Sequence, residues 1–216
     1  CSSDLTMKCV EAVIFDLDNT LYDETQYFLD TFSKFDVTRG HLNSIKRLFD
    51  DGLRYTSSDI FKDVLDHFEA YSQKLHEELF FEYKTCDSNI KLDRETLKTF
   101  SLLRSKKIRI GVLTNGVVDA QKNKVKMLGL SSLVDVIVYA REVGREKPHI
   151  EAFKVVCDKL KTNPEKCIFV GDDIVNDIQG AENAGLKAVI TYKYMCNMKE
   201  FKAKNILFNQ VNELIV

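Results

Sequence analysis

Proline is scarce. Only Pro148 and Pro164 occur in 216 residues, too few for a stiff interdomain linker. Long apolar runs are missing as well. Stretches such as Cys167-Ile168-Phe169-Val170 fall far short of the roughly 18 residues that a membrane span requires. No charged-then-apolar leader opens the chain, so no secretion signal is expected. Neither sign of charge dominates: 31 basic and 33 acidic residues give a net charge of -2. That excludes the basic excess of a nucleic-acid-binding protein. The one basic cluster, Lys122, Lys124 and Lys126, is expected to form a solvated helix face. No two of the six cysteines, at positions 1, 9, 86, 157, 167 and 196, form a C-x-x-C pair, so neither a zinc cage nor a redox dithiol is expected. They read as reduced thiols packing as small hydrophobes, in a reducing, cytoplasmic compartment. There is no internal repeat and no low-complexity tract. Cys1 to Thr6 is polar and patternless and reads as an extraneous remnant ahead of a start at Met7.

What is present is ordinary globular composition, 44% hydrophobic and 30% charged, enough for one sizeable core and a second small domain. Val10 to Phe15 is a short apolar, β-branched run ending at a carboxylate. Similar runs recur at Ile108–Leu113, Val134–Val138, Cys167–Val170 and Ala188–Thr191. Continuous apolarity, rather than alternation, predicts strands covered on both faces, hence a parallel sheet. Between them lie helical patterns. Asp93 caps a segment with Leu97, Phe100 and Leu103 on one face; Val117 to Leu128 ends at Gly129; Pro148 opens a helix; Ile174 to Ala184 ends at Gly185. Alternating strands and helices predict a doubly wound, Rossmann-like α/β core.

Residues 22–85 break the alternation. Phe28, Leu29, Phe32 and Phe35, then Leu42, Ile45, Leu48 and Phe49, then Ile60, Val64, Leu65, Phe68, Leu75 and Leu79 recur at helical spacing. Three or so helices are expected there, as an inserted lid over a core of residues 7–21 and 86–216. The bland alternative is an insert that only packs against the core.

Ligands of open parallel sheets bind beyond the carboxyl ends of the strands. Asp16, Asp18 and Thr20 follow the first expected strand; Thr114, Asn115 and Gly116 the second; Gly171, Asp172, Asp173 and Asp177 the fourth. Lys147-Pro148 precedes the helix leading to the fourth. Two carboxylates at a strand end can divide nucleophilic and proton-transfer work. The bland reading of Asp16 to Thr20 is a turn held by Asn19 and Thr20. Carboxylates gathered on one rim repel unless a hard divalent ion joins them, and Mg²⁺ suits few carboxylates plus phosphate oxygens. Asp177 is equally readable as a first-turn residue favoured by a helix dipole. Thr114, backbone N–H groups near Gly116 and the Lys147 ammonium all favour an anion.

Other patterns fail. Gly111 to Gly116 has Walker-like spacing without the Lys-Ser/Thr that must follow. Asp16 to Tyr27 has Leu21 and Tyr27 where a calcium loop needs glycine and glutamate. The histidines at 41, 67, 76 and 149 are scattered.

Taken in order, Phe15-Asp16-Leu17-Asp18-Asn19-Thr20-Leu21, Leu113-Thr114-Asn115-Gly116, Glu146-Lys147-Pro148 and Val170-Gly171-Asp172-Asp173-Ile174-Val175-Asn176-Asp177 resemble the four motifs of the haloacid dehalogenase superfamily. The insert between the first two resembles that family's helical cap. Gln121, Lys124 and Val143-Gly144 are similar to the branch with nucleotidases and acylneuraminate-9-phosphatase. The resemblance implies a Mg²⁺-dependent phosphatase of small phosphorylated metabolites, of nucleotide or sugar phosphate class, working through an aspartyl-phosphate. Asp16 would attack phosphorus, and Asp18 would protonate the leaving oxygen and then activate water. Thr114, Asn115 and Lys147 would hold the phosphate. Asp16, the Asp18 carbonyl and Asp172 would bind the ion, with Asp173 and Asp177 behind them. Dehalogenases of this fold lack a carboxylate at the position of Asp18, so Asp18 favours phosphate chemistry. A phosphomutase and a receiver-like signalling module are the rival readings. No membrane or nucleic-acid partner is expected, and the chain reads as a monomer or weak homo-oligomer. Tyr22, Asp23 and aromatics of the insert are candidates to touch substrate, although such aromatics more often form the insert's own core.

Overall fold

The computed structural model describes residues 10–194, 211 and 213–215. The segment read as a remnant, together with Cys1, Cys9 and Cys196, lies outside the described residues. All five expected strands form, with bounds within two residues of those expected: β1 (Ala12–Phe15), β2 (Arg109–Thr114), β3 (Val136–Tyr139), β4 (Cys167–Gly171) and β5 (Lys187–Ile190). They make one parallel sheet in the order β3-β2-β1-β4-β5. β1 is central, with Phe15 level with Val112 of β2 and Val170 of β4.

The unbroken apolarity of β1 has a direct cause. Successive side chains point to opposite faces, and both faces are covered. Val13 and Phe15 enter one apolar cluster, with Ile110, Val112, Ile168 and Val170. Phe100 and Leu103 of α7 (Arg94–Ser105) and Val125 of α8 (Val118–Met127) cover it. Ala12 and Ile14 enter the other cluster, under Phe153 and Val156 of α10 (Ile150–Lys159) and Ala181 of α11 (Gly180–Asn183). Each such fully buried aliphatic or aromatic side chain contributes about 1.5–3 kcal/mol.

Three local expectations need correction. Leu97 is 42% exposed, while Phe100 and Leu103 are buried. Three-residue steps drift by about 60° on a helix of 3.6 residues per turn, and the buried stripe centres on Thr96 and Leu103. Pro148 does not open α10, which starts at Ile150 after His149. The segment after β4 begins with a π-helical stretch, Ile174–Gln179, before α11. It carries Asp177, whose place in the site is described below.

Residues between β1 and α7 form six helices rather than three: α1 (Glu24–Phe32), α2 (Asp36–Arg39), α3 (Leu42–Asp50), α4 (Leu53–Thr56), α5 (Ile60–His67) and α6 (Gln73–Thr85). Asp23, Asp59 and Ser72 cap α1, α5 and α6 through their side chains. Phe28, Phe32, Ile45, Phe49, Phe61, Val64, Leu65 and Leu79 form a separate core. Most aromatics of the insert are therefore spent on its own packing. Among the described residues Cys86, Cys157 and Cys167 are buried free thiols. The last two bring their sulfurs within 3.8 Å, a pairing their spacing in sequence does not announce.

Candidate active site

The residues singled out at the strand ends converge. Asp16, Asp18, Thr114, Asn115, Lys147, Asp172, Asp173 and Asp177 all line one cavity of about 440 Å³. The chain turns just past β1, where Asn19 takes a left-handed conformation, φ 55°, that asparagine tolerates. Its side chain accepts from the Glu24 N–H and anchors α1. The turn thus does the local hydrogen bonding the bland reading assigned to it, and it also delivers both aspartates to the cavity.

Asp16, Asp172 and Asp177 each bring a carboxylate oxygen within 4.8 Å of the others. Lys147 sits among them: its ammonium donates to Asp16 Oδ1 and, at 2.6 Å, to Asp177 Oδ1. Asp177 Oδ2 accepts the backbone N–H groups of Asp172 and Asp173, each at 3.1 Å. Asp177 does lie in the first turn of the helical segment after β4, and it also joins this cluster. It is 1% exposed. Gly171 makes room for it, because a Cβ there would overlap the Asp177 carboxylate. Drawing Asp177 back against the strand end accompanies the π-helical widening of this turn, as π-bulges do at functional sites.

Burial raises the Asp16 carboxyl well above its ordinary range. The Lys147 charge opposes this, and Asp177, Asp172 and Asp18 add to it. Burial and the Asp177 charge push Asp172 up to about 7. Burial works against the Lys147 charge, but Asp16 and Asp177 outweigh it and hold the ammonium above its usual pKa. Asp16 Oδ2 and Asp172 Oδ1 accept no hydrogen bond from any described residue. Seven carboxylates face only three cationic side chains around the cavity. This donor set, hard oxygens with excess negative charge and two open acceptors, fits a small divalent cation.

Asp18 has a different environment from Asp16. Its Oδ1 accepts from Tyr22 at 2.5 Å and from Lys124 at 2.9 Å, and its Oδ2 from Gln121 at 2.7 Å. Burial works to raise its pKa, but the Lys124 charge and these three hydrogen bonds hold it below the ordinary range. The two aspartates are thus driven apart, Asp16 upward and Asp18 downward. At Asp16 burial leads and the neighbouring carboxylates add to it; at Asp18 the buried Lys124 cation and the hydrogen bonds outweigh burial.

That cation corrects the reading of the lysine cluster. Lys122 and Lys126 are exposed, whereas Lys124 is fully buried. At about 100° per residue, alternate positions fall on opposite sides of a helix. Lys124 therefore shares its face with buried Ala120, Gln121 and Val125. Its ammonium also donates to Glu24 Oε1 at 3.0 Å and to the Tyr83 hydroxyl at 2.8 Å, and lies 5.0 Å from the ring centroids of Tyr27 and Tyr83. A polar pair, Gln121 and Lys124, on the otherwise apolar face of α8 was the available signal.

The Thr-Asn-Gly segment is only partly free for an anion. Thr114 accepts from Gln121 at 2.6 Å. The Asn115 amide is spent on the backbone of Lys147, donating to its carbonyl and accepting its N–H, each at 2.9 Å. Asn115 therefore positions Lys147. The Gly116 N–H donates to the Glu146 carboxylate at 2.8 Å. Asp173 caps the π-helical turn, accepting from the N–H groups of Val175 and Asn176. Asp23 is exposed and caps α1.

Besides two of its aromatics, which the sequence offered as candidates, the insert supplies Glu24, Arg54 and Ser57, to which the sequence did not point. Tyr55 donates to Asp172 Oδ2 at 2.9 Å across 117 residues. Glu24, buried at 2% exposure, accepts from Arg54 at 2.5 Å as well as from Lys124. Arg54, Tyr55, Ser57 and Tyr83 complete the cavity wall opposite the sheet.

Comparison with known proteins agrees with this architecture. The haloacid dehalogenase-like hydrolase family profile matches residues 13–191. The glyceraldehyde 3-phosphate phosphatase of Methanothermobacter thermautotrophicus is 30% identical, over 84% of this chain and 85% of its own length. The N-acylneuraminate-9-phosphatase of Rattus norvegicus is also 30% identical, over 84% of this chain and 82% of its own. Among solved structures, the HAD-hydrolase YfnB of Bacillus subtilis, bound to magnesium, superposes with a TM-score of 0.65 at 21% identity, covering 89% of this chain and 90% of that one. The strand-end carboxylates, the buried lysine behind them and a family match spanning most of the sequence lead to one statement: this chain belongs to the haloacid dehalogenase-like hydrolases.

Proposed function

We propose that the protein is a Mg²⁺-dependent phosphatase that hydrolyses a small phosphorylated metabolite through a phosphoryl group carried on Asp16. The observation that carries this reading is the meeting of Asp16, Asp172 and Asp177 around Lys147 at the cavity floor. Relatives named phosphatases of glyceraldehyde 3-phosphate and of N-acylneuraminate 9-phosphate support the reaction class.

The Asp16 and Asp172 side chains, with the Asp18 carbonyl, would hold the ion, and Asp177 would stay committed to Lys147 and two backbone N–H groups. Bound there, Mg²⁺ would offset the carboxylate charge and stabilise negative charge on the phosphoryl oxygens. Lys147 keeps Asp16 oriented and offers positive charge to the transferring group. Asp16 attacks phosphorus, the ester oxygen leaves, and water later attacks the aspartyl-phosphate. Ionised by its pairing with Lys124, Asp18 is set up as the base of that second step. In the first step it must deliver a proton to the leaving oxygen. Phosphoryl transfer is mostly positioning and charge stabilisation, and these groups supply both.

The helices of residues 22–85 act as a cap. They close the cavity with Arg54, Tyr55, Ser57 and Tyr83. They meet the core through the buried Lys124–Glu24 pair and the part-buried Tyr55–Asp172 hydrogen bond. The family match favours this reading over a receiver-like module. Among the described residues no helix is long and apolar enough to cross a membrane. Three buried thiols suit a reducing, cytoplasmic location.

The test is turnover of p-nitrophenyl phosphate with Mg²⁺ by the wild type and by Asp16→Asn. We expect Asp16→Asn to lose at least about 10³-fold in kcat with an unchanged circular dichroism spectrum. Retained turnover would remove Asp16 as the nucleophile.

A further inference from the structure

The cavity over Asp16 does not end at the catalytic floor. A second cavity, of about 380 Å³, adjoins it, and six residues line both: Glu24, Arg54, Ser57, Tyr83, Gly116 and Arg141. Two of the six are arginines. They come from different parts of the fold: Arg54 from α4 of the insert, and Arg141 from α9 (Ala140–Val143), the short helix after β3.

Each arginine is held by one edge only. Arg54 donates from Nε to Glu24 at 2.5 Å, and Arg141 from Nε to Glu146 at 3.0 Å. The Nη1 and Nη2 groups of both donate to no described residue. Their side chains are 42% and 50% exposed, so those donors are open to solvent and to a ligand. The two carboxylates fix the forks. What remains on each is the terminal N–H pair, the edge that matches a carboxylate or phosphate.

The rest of the inner cavity offers no comparable anion donor. Its third cationic side chain, Lys147, is buried and taken by Asp16 and Asp177. Lys124 lies behind Asp18 and Glu24, fully buried. A leaving group projecting from Asp16 toward the seam would meet the arginines before it met the apolar wall of the second cavity, formed by Phe28, Phe61 and Phe80.

Resting on the phosphatase reading above, we propose that the substrate carries a second anionic group on the leaving-group side of its phosphate ester, and that Arg54 and Arg141 bind it. A neutral leaving group would strip water from those N–H pairs without replacing it, which is where discrimination arises. Two half-exposed, charge-assisted contacts correspond to roughly 10- to 100-fold in kcat/KM.

The experiment compares matched phosphomonoesters on the Mg²⁺-loaded full chain. 3-Phosphoglycerate is set against glycerol 3-phosphate for a distal carboxylate, and fructose 1,6-bisphosphate against fructose 6-phosphate for a distal phosphate. The expected result is a preference of roughly 10-fold or more for the charged member of at least one pair, and the pair that shows it names the anion. Arg141→Gln, at a half-exposed position, should bring that ratio toward one, as should Arg54→Gln. Ratios at or below one in the wild type, or a preference that survives both substitutions, would overturn the subsite while leaving the phosphatase reading intact. No turnover of any of these esters or of p-nitrophenyl phosphate would sink that reading and the subsite with it.

Discussion

The Lys124 ammonium, with no exposed surface, lies 2.9 Å from Asp18 Oδ1 and 3.0 Å from Glu24 Oε1. One buried charge thereby joins an aspartate past β1, a glutamate of the insert and a helix of the core. Lys124→Met removes the cation and leaves two carboxylates without it. Breaking a buried ion pair from one side costs about 3–5 kcal/mol. Thermal or urea unfolding should register a loss of that size at neutral pH, and a loss below about 1 kcal/mol would show that the network contributes little.

Asn115 grips Lys147 by both backbone groups while touching neither Asp16 nor Asp177. Asn115→Ala should therefore act on rate. We expect a stability loss of about 1–2 kcal/mol and a fall in kcat of about 10²-fold, the scale of misplacing a positioned group by an ångström. Steady-state kinetics on p-nitrophenyl phosphate, beside a melting curve, separates the two. A change in KM alone would argue for direct phosphate contact instead.

Carboxylates crowded around Asp16 should be relieved by a divalent ion, so Mg²⁺ should stabilise the fold. A hundredfold excess over the dissociation constant gives at most about 2.7 kcal/mol. In a chain of this size that corresponds to roughly 5–10 °C in Tm. Differential scanning fluorimetry with millimolar MgCl₂, and with EDTA as reference, reads it directly. Identical melting curves would count against the metal site.

Asp93 offers a pH test away from the site. It caps α7 through the Thr96 N–H and pairs with Lys193 at 2.7 Å. Burial tends to raise its pKa, but the Lys193 hydrogen bond and charge and the Thr96 N–H hold it below the ordinary value. A depressed folded-state pKa contributes stability above the unfolded value and loses it as pH falls through the folded one. Asp93→Asn keeps the cap and removes the charge. The Tm difference between wild type and Asp93→Asn should be constant from pH 5 to 7 and narrow below about pH 4. A difference independent of pH would mean that the charge is not what Asp93 contributes.

Much of this was legible along the chain. Five short apolar runs became five parallel strands because a sheet covered on both faces selects continuous apolarity, as β1 shows with Val13 and Phe15 on one side and Ala12 and Ile14 on the other. The polar residues just beyond those strands reached one cavity because strand ends in a parallel sheet share an edge. Lys124 was misread because its neighbours at 122 and 126 are solvated; helical geometry turns it to the opposite side. That the Asn115 amide also meets the Lys147 backbone could not be read from sequence order, which does not show which distant backbone a side chain reaches.

The sequence by itself determined the strand-and-helix order, the helical insert and the set of strand-end groups that carry chemistry. These depend on periodicity and on local turns, which are properties of neighbouring residues. Only the tertiary structure decided the pairings: Lys147 with Asp16 and Asp177, Lys124 with Asp18 and Glu24, and Tyr55 with Asp172. Each joins groups 30 or more residues apart. The energy of a buried charge is set by whatever the fold packs against it, and no local pattern specifies that.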